Sequence, residues 1–452
     1  MIKKKRVGKF DVIIVGAGPA GMFAVYELLK RKKKLKIALI EKGDRVEKRK
    51  KNNAMAGFGG GGTYSDGKLH YTPILSHKKA LDLITEHEYV EIVDYVDQVL
   101  TDFGVDEPYY PKKSKRIQEL VELAQRSDIK LHIRKARHVG TDKLKGIVKK
   151  IQDYFESQGV NILDNTEVED IIVRRKRCCG VITEKGRKIE ARKVLLAPGR
   201  IGARWLQTLC QEYEIENKYD KIEVGVRVEF PEAVMREYSE LTYESIFEMR
   251  TKHFDDVIRT FCPCPNGKVA VEDYKGYVCV NGHTNSSHDS INSNFAFVTE
   301  IELSEPVENT TLYAKSIAEL TTVLGGGKPI IQRLADLRAG RRSTWNRIKK
   351  SYVYPSLLDA TPGDIAMAVP YRIVKNTLEG LEKLNKVLPG INSGSTLLYA
   401  PEVKYRGSKI KTNKTLETSM KNLFVAGDGA GVSGNIIGAA VTGIMAVRGM
   451  FK

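Results

Sequence analysis

Apolar positions near the start of the chain run without alternation. In Phe10–Val15 the four residues Val12, Ile13, Ile14 and Val15 are consecutive, the pattern of a strand buried on both faces in a parallel sheet. Residues 19–33 then place Met22, Phe23, Val25, Tyr26, Leu28 and Leu29 along one side of a helix, and a second buried strand follows over 35–40. Strand, helix and strand make a βαβ unit that opens a doubly wound sheet. Residues 52–69 are glycine-rich and loop-like, 78–103 and 115–127 have helical periodicity, and 141–158 form an amphipathic helix with Thr141 as its expected cap. An antiparallel meander is expected from 161–163, 168–174, 179–183 and 188–190, leading into the apolar strand 194–197. From about residue 207 to 394 the character changes: alternating stretches at 223–230, 268–272 and 277–281 predict a second sheet, with helical pieces near 313–323 and 363–386. The first character returns with a buried strand at 423–426 and a helix over 434–450.

The chemistry lies where these elements meet. Gly16-Ala17-Gly18-Pro19-Ala20-Gly21 follows a strand and opens a helix, the context that makes a glycine fingerprint credible. Gly16 permits a tight turn, Gly18 lets backbone approach a pyrophosphate, and Gly21 allows helix to pack on strand; Pro19 and Ala20 start the helix at the phosphate. Glu41, followed by Lys42, ends the second strand twenty residues beyond Gly21, where a carboxylate accepts hydrogen bonds from an adenosine ribose. This is a Rossmann-type dinucleotide site, and by itself it leaves NAD and FAD both open. Near the other end, Gly427-Asp428 closes an apolar strand. Asp428 is a fixed acceptor, and the helix beginning after Gly434, at Asn435 and Ile436, presents free N–H groups and a positive dipole end.

The segment Leu423-Phe424-Val425-Ala426-Gly427-Asp428-Gly429-Ala430-Gly431 resembles the second flavin fingerprint of glutathione-reductase-type FAD proteins. That resemblance implies non-covalent FAD, with Asp428 on a ribityl hydroxyl and the last helix beneath the flavin pyrimidine edge. Val194-Leu195-Leu196-Ala197-Pro198-Gly199 resembles a strand end of the same proteins, with Ala197 and Gly199 near the cofactor and Pro198 in place of the usual threonine; Val168 stands where they contact adenine through backbone. The expected fold is therefore α/β: a discontinuous Rossmann-type FAD-binding domain (1–206 and 395–452) with an inserted α+β substrate or cap domain (207–394).

Gly57-Phe58-Gly59-Gly60-Gly61-Gly62-Thr63-Tyr64-Ser65-Asp66-Gly67-Lys68-Leu69 is similar to a loop of the FAD-utilizing dehydrogenases, a largely uncharacterised group. The stretches 138–144, 225–229 and 260–267 match that group in order. Two features depart from it: many members carry an extra N-terminal domain, and most end in Gly-Glu where this chain has Gly427-Asp428. The loop is expected against the flavin, with Gly60, Gly61, Gly62, Ser65, Gly67 and Lys68 near the cofactor. Lys68, Tyr64, Ser65 and His70 are candidates for proton transfer or flavin N5 contact, or alternatively order the loop or contact phosphate. The loop lacks the cysteine pair that disulfide reductases carry there, so disulfide reduction is not expected.

Bulk properties narrow the classes further. A chain of 452 residues with 42% hydrophobic content is expected to form two globular domains, and no apolar run is long enough for a transmembrane helix. The basic and then apolar start imitates a signal peptide, but its glycines assign it to mature structure. Six cysteines, two adjacent at Cys178 and Cys179, make no disulfide framework, and the cytoplasm is the expected compartment. Cys262 and Cys264 stand too close together for two ligands of one tetrahedral metal, so no metal is expected. The net charge of +18 comes from short scattered runs, at 3–6, 30–34, 49–51, 112–116, 174–177 and 349–350, which read as solvated faces in preference to a surface for nucleic acid or another anionic partner. The chemistry expected is hydride transfer between flavin N5 and a small-molecule substrate. No second glycine fingerprint occurs in residues 100–420, so NAD(P)H would bind only transiently. Two other classes stand beside it. One is a flavin-containing RNA-modifying or RNA-binding protein, whose known families append a helical domain after the Gly-Asp helix. The other is an electron-transfer module with a protein or quinone partner.

Overall fold

A computed structural model describes residues 9–31, 34–49, 56–65, 67–73, 78–219, 221–274, 276–284, 290–303, 309–404 and 408–451. The chain divides into two compact units, one of Met1–Glu107, His138–Asp220 and Arg406–Lys452, the other of Pro108–Arg137 and Lys221–Tyr405.

In the first unit, Phe10–Val15 lies between Ile37–Ile40 and the end of Lys188–Leu196, all parallel. Asn161–Leu163 extends the sheet beside Ile37–Ile40, and Leu423–Val425 beside Lys188–Leu196, again parallel. Val12, Ile13 and Ile14 are fully buried, as the unbroken apolar run requires. The strand ends fall in register: Val15 is opposite Ile40 and Leu196, Ile40 opposite Leu163, and Leu196 opposite Val425. One row thus carries Gly16, Glu41, Ala197 and Ala426 just past the carboxyl edge. Helix Ile436–Met450 packs on helix Pro19–Arg31, and a Cβ on Gly443 would stand 2.1 Å from the Ala20 carbonyl oxygen, so the two backbones touch. Each large aliphatic side chain buried there contributes about 1.5–3 kcal/mol.

Three expectations are corrected. Asn161–Leu163 joins the parallel sheet and takes no part in the meander. Residues 188–190 and 194–196 belong to one strand, Lys188–Leu196, whose start pairs antiparallel with Arg177–Thr183 and whose end runs parallel to Phe10–Val15. Alternation at its start and continuous burial at its end reflect the change of partner. Helix Thr141–Ser157 is capped by Gly140 (φ 80°), with no side-chain cap, so Thr141 is its first helical residue.

The second unit is built on an eight-stranded sheet in the order Thr361–Pro362, Ile330–Arg333, Leu397–Lys404, Ile222–Pro231, Asn292–Ile301, Val257–Cys264, Ser245–Arg250 and Lys130–Ile133. Helix Tyr371–Leu384 lies against it, where a Cβ on Gly380 would meet the Phe297 ring at 2.6 Å. Lys268–Asp273 pairs antiparallel with Val278–His283 in a separate two-stranded sheet. The stretches 225–229 and 260–267 meet in a buried polar network. Fully buried Arg227 donates to Asn294 Oδ1 (2.7 Å), the Cys262 carbonyl (2.9 Å) and Cys264 Sγ (3.3 Å), and Glu402 stands 3.6 Å away. Lys404 pairs with the same carboxylate at 2.5 Å. Charges buried this deeply persist because they are paired.

Among the described residues no group of three or more His, Cys, Asp or Glu is placed to hold a metal ion, and no helix is long and apolar enough to cross a membrane. All six cysteines are free thiols. Burial pushes Cys178 up to about 12, Cys210 to about 11, and Cys279 far above its ordinary value, while Cys264 is also buried. The thiolate is the reactive species. Peptide mapping after brief treatment with a thiol reagent at about pH 8 is expected to find label on half-exposed Cys179 and Cys262 alone, the other four reacting only after unfolding.

Candidate functional site

The residues past the carboxyl edge of the first unit's sheet lie in one row, at the place where open α/β sheets bind ligands. Gly16 has φ 100°, and a Cβ there would stand 2.2 Å from the Ala197 carbonyl oxygen. Only glycine allows that turn. Gly21 is equally constrained, its missing Cβ falling 1.9 Å from the Gly16 carbonyl. The Gly18 carbonyl accepts from Met22 N at 2.8 Å, so the helical ladder begins inside the turn.

Glu41, buried at the next strand end, does more than its expected part. One carboxylate oxygen accepts from Ala17 N, the other from Gly43 N and Gly57 N, each at 2.9 Å. A carboxylate has about four acceptor positions, so capacity for one further donor remains. Beside it, Lys42 Nζ lies 3.5 Å from Glu167 Oε1, and Thr166 N donates to the Glu41 carbonyl at 2.9 Å. This brings Val168, the first residue of its strand, to the same end of the site.

The glycine loop links the two fingerprints. Gly59 N donates to the Ala17 carbonyl at 2.8 Å, and Gly60 packs its backbone on Gly18, where a Cβ would come within 2.9 Å of the Gly18 Cα. A Cβ on Gly62 would reach Ile436 Cγ1 at 3.0 Å, at the start of the last helix. Arg49, which the sequence placed in a solvated run, is buried here instead. Its Nη1 donates to the carbonyls of Phe58 (2.9 Å), Gly60 (3.1 Å) and Gly57 (3.4 Å), and its guanidinium covers the Tyr64 ring at 3.5 Å. Burial pushes the Tyr64 phenol above its ordinary value, with Arg49 pulling the other way. Lys68 and His70 are buried on the short strand Lys68–His70 and alternate with Leu69, so they share one face. Gly67 (φ 63°) packs on the backbone of Gly140. Gly61 accepts from Tyr64 N at 3.1 Å, whereas the Ser65 side chain and Asp66 fall outside the described residues.

At the far end, Gly427 (φ 80°) donates to Thr442 Oγ1 at 3.0 Å. Asp428 accepts from Ser433 Oγ at 2.6 Å and pairs with Arg200 Nε at 3.4 Å. Gly199 lies under the same turn, since a Cβ on Gly429 would be 2.2 Å from its carbonyl oxygen. The last helix begins at Ile436, two residues beyond Gly434, and Asn435 caps it by accepting from Gly438 N at 2.8 Å. The N–H groups of Ile436 and Ile437 precede the helix's own ladder and form its positive end. Arg49, Arg200, Ser433 and Thr442 were not anticipated. The charged pair Arg200–Asp428 had a weak signal in the basic residue directly after the Ala197-Pro198-Gly199 turn.

Residues 11–221 match a family described as an FAD binding domain. The chain carries an FAD-binding domain. Its cofactor is FAD. The matched family is of the succinate dehydrogenase/fumarate reductase type, and the match does not carry the glutathione-reductase-type label. Residues 221–405 match the family described as FAD-dependent protein, C-terminal domain-like, and correspond to the larger segment of the second unit, Lys221–Tyr405. An uncharacterized protein of Clostridium beijerinckii is 26% identical over 474 aligned positions, covering 96% of this chain and 79% of its own length. Among solved structures, a quinol-fumarate reductase with menaquinol molecules is similar at TM-score 0.46 and 13% identity, over 97% of this chain and 70% of that one. L-proline dehydrogenase from P. horikoshii is similar at TM-score 0.43 and 12% identity, over 97% and 92%.

Proposed function

We propose that the chain is an FAD-dependent oxidoreductase that moves a hydride between flavin N5 and a small organic substrate. The observation that carries this reading is the convergence of Gly16–Gly21, Gly57–Gly62, Gly427–Asp428 and the last helix's N-terminus along one sheet edge. In this reading the FAD pyrophosphate lies over Gly16, Gly18, Pro19, Ala20 and Gly21 at the start of helix Pro19–Arg31. The remaining acceptor position of Glu41 takes a ribose hydroxyl, beside Lys42, and Val168 meets adenine through backbone. Ala197 and Gly199 flank the ribityl chain, with Asp428 on one of its hydroxyls. The Ile436 and Ile437 N–H groups would favour negative charge on the flavin at the helix's positive end. Bound FAD supplies a two-electron centre at N5. Gly60, Gly61 and Gly62 would border the flavin, and Lys68, Tyr64 and His70 are the candidates to hold or move a proton. Reduced nicotinamide, if it is the donor, binds transiently.

Purified protein is expected to release one FAD per chain on denaturation, identified by chromatography. Release of NAD alone, or failure of the apoprotein to take up FAD, overturns the reading. Lys68→Met separates two roles for that lysine. A lysine at the flavin edge predicts a midpoint potential lower by about 30 mV, equivalent to about 1.4 kcal/mol for a two-electron couple, with FAD affinity nearly unchanged. A lysine on the pyrophosphate predicts the reverse, and no change in either removes Lys68 from the site.

A further inference from the structure

We propose that one surface of the second unit docks on an anionic membrane surface. Tyr352 is 90% exposed, Leu358 70%, Ile291 73% and Val323 74%, with Tyr354 also exposed. Single exposed apolar residues are ordinary, but a cluster of large ones is not. Hydrogen bonds tie these positions together. Asn292 Nδ2 donates to the Tyr354 carbonyl at 2.7 Å, which brings Ile291 beside the loop. Thr361 Oγ1 donates to the Gly325 carbonyl and Lys328 pairs with Asp359, both at 2.6 Å, which bring Val323 and the end of its helix toward Leu358.

The loop is not exposed through looseness. Tyr352 N donates to Ser395 Oγ at 3.3 Å, Ser351 Oγ to the Ser395 carbonyl at 2.9 Å, and Ser356 N to buried Glu229 at 3.1 Å. Val269 N donates to Ser356 Oγ at 2.9 Å. The backbone is fixed while its largest side chains face water.

Charge decides among occupants. Arg342, Lys349 and Lys350 are exposed in the segment leading into this loop, and Arg341 beside them is already paired with Asp336. Among the described acids near this loop, Asp359 pairs with Lys328, buried Asp336 with Arg333 and Arg341, and Asp364 accepts from Gln332 Nε2 and Ala366 N. A second copy meeting this face about a two-fold axis would set basic groups against basic groups. Nucleic acid could use the tyrosines and the charges, but it has nothing for Leu358, Ile291 and Val323. An anionic bilayer takes all three classes: aliphatic chains below the headgroups, tyrosines at the interface, and cations among the phosphates. No helix among the described residues is long and apolar enough to cross a bilayer, so the association is peripheral.

The test is sedimentation of the FAD-loaded full chain with vesicles at low salt. Binding to phosphatidylglycerol–phosphatidylcholine vesicles and little binding to pure phosphatidylcholine are expected. The double variant Lys349→Glu, Lys350→Glu should bind at least tenfold more weakly, since each basic residue near such a surface is worth about fivefold. Tyr352→Ser with Leu358→Ser should release the protein while its FAD content and melting temperature stay at wild-type values. The proposal falls if wild type stays in the supernatant with both vesicles, if both variants sediment as wild type does, if only RNA binds, or if light scattering finds a dimer that the serine variant splits.

Discussion

Glu41→Ala is expected to weaken FAD binding by more than about 100-fold and to lower the melting temperature of the apoprotein as well. The carboxylate accepts from Ala17, Gly43 and Gly57 together, so its loss strips an acceptor from three backbone N–H groups at the cofactor edge. A hydrogen bond to a charged group contributes about 1.5–3 kcal/mol, and a buried donor left without an acceptor costs about 1–3 kcal/mol. Two effects then add. On the proposed reading the ribose loses its acceptor, and the glycine turn loses its tie to the glycine loop. Glu41→Gln should fall between the two, because its one carbonyl oxygen can serve Gly43 and Gly57 while its amide N–H₂ faces the Ala17 donor. Calorimetric titration of the apoproteins with FAD, beside thermal melts without it, measures both parts. If Glu41→Ala equals wild type in both, the carboxylate is neither a ribose acceptor nor a tie.

What could be read from the residues, and what could not, follows from the range of the forces involved. Gly16, Gly21 and Gly427 were legible because a Cβ on Gly16 or Gly21 would fall within 2.2 Å of a backbone carbonyl oxygen, and Gly16 and Gly427 turn through φ 100° and 80°, which L side chains rarely adopt. Phe10–Val15 and Leu423–Val425 were legible from continuous apolar runs, the local signature of strands buried on both faces. Arg49 was not. In sequence it belongs to a basic run, and only the fold shows that its guanidinium caps carbonyls eight to eleven residues further on. Arg200 and Asp428 are partners separated by more than two hundred residues, and the basic residue after the Ala197-Pro198-Gly199 turn does not by itself name its partner. The strand Lys188–Leu196 was split into two because its change of partner also changes its burial period. The exposed face around Tyr352 and Leu358 was invisible for the opposite reason: apolar residues in a sequence read as core until a structure leaves them outside.

Arg49→Met is expected to lower FAD affinity about tenfold or more, with near-ultraviolet circular dichroism reporting a rearranged loop around Tyr64. In the native loop one guanidinium nitrogen meets the carbonyls of Gly57, Phe58 and Gly60, while the guanidinium plane covers the Tyr64 ring. With those three carbonyls held by Arg49, Gly59 donates back to Ala17, and the loop keeps one shape against the dinucleotide turn. Methionine fills comparable volume but donates nothing, so the loop must order itself when the cofactor arrives, and that ordering is subtracted from binding. The tyrosine gives a second signal. Burial already raises the Tyr64 phenol and Arg49 opposes the rise, so removing the cation should push its titration further upward. Arg49→Lys is the discriminating variant. Lysine keeps the charge but lacks the planar fork, and it cannot hold the carbonyls and cover the ring at once. If shape is what Arg49 supplies, Arg49→Lys should bind FAD nearly as weakly as Arg49→Met. Full affinity in the lysine variant would mean that charge alone suffices, and full affinity in both would remove Arg49 from the account of the loop.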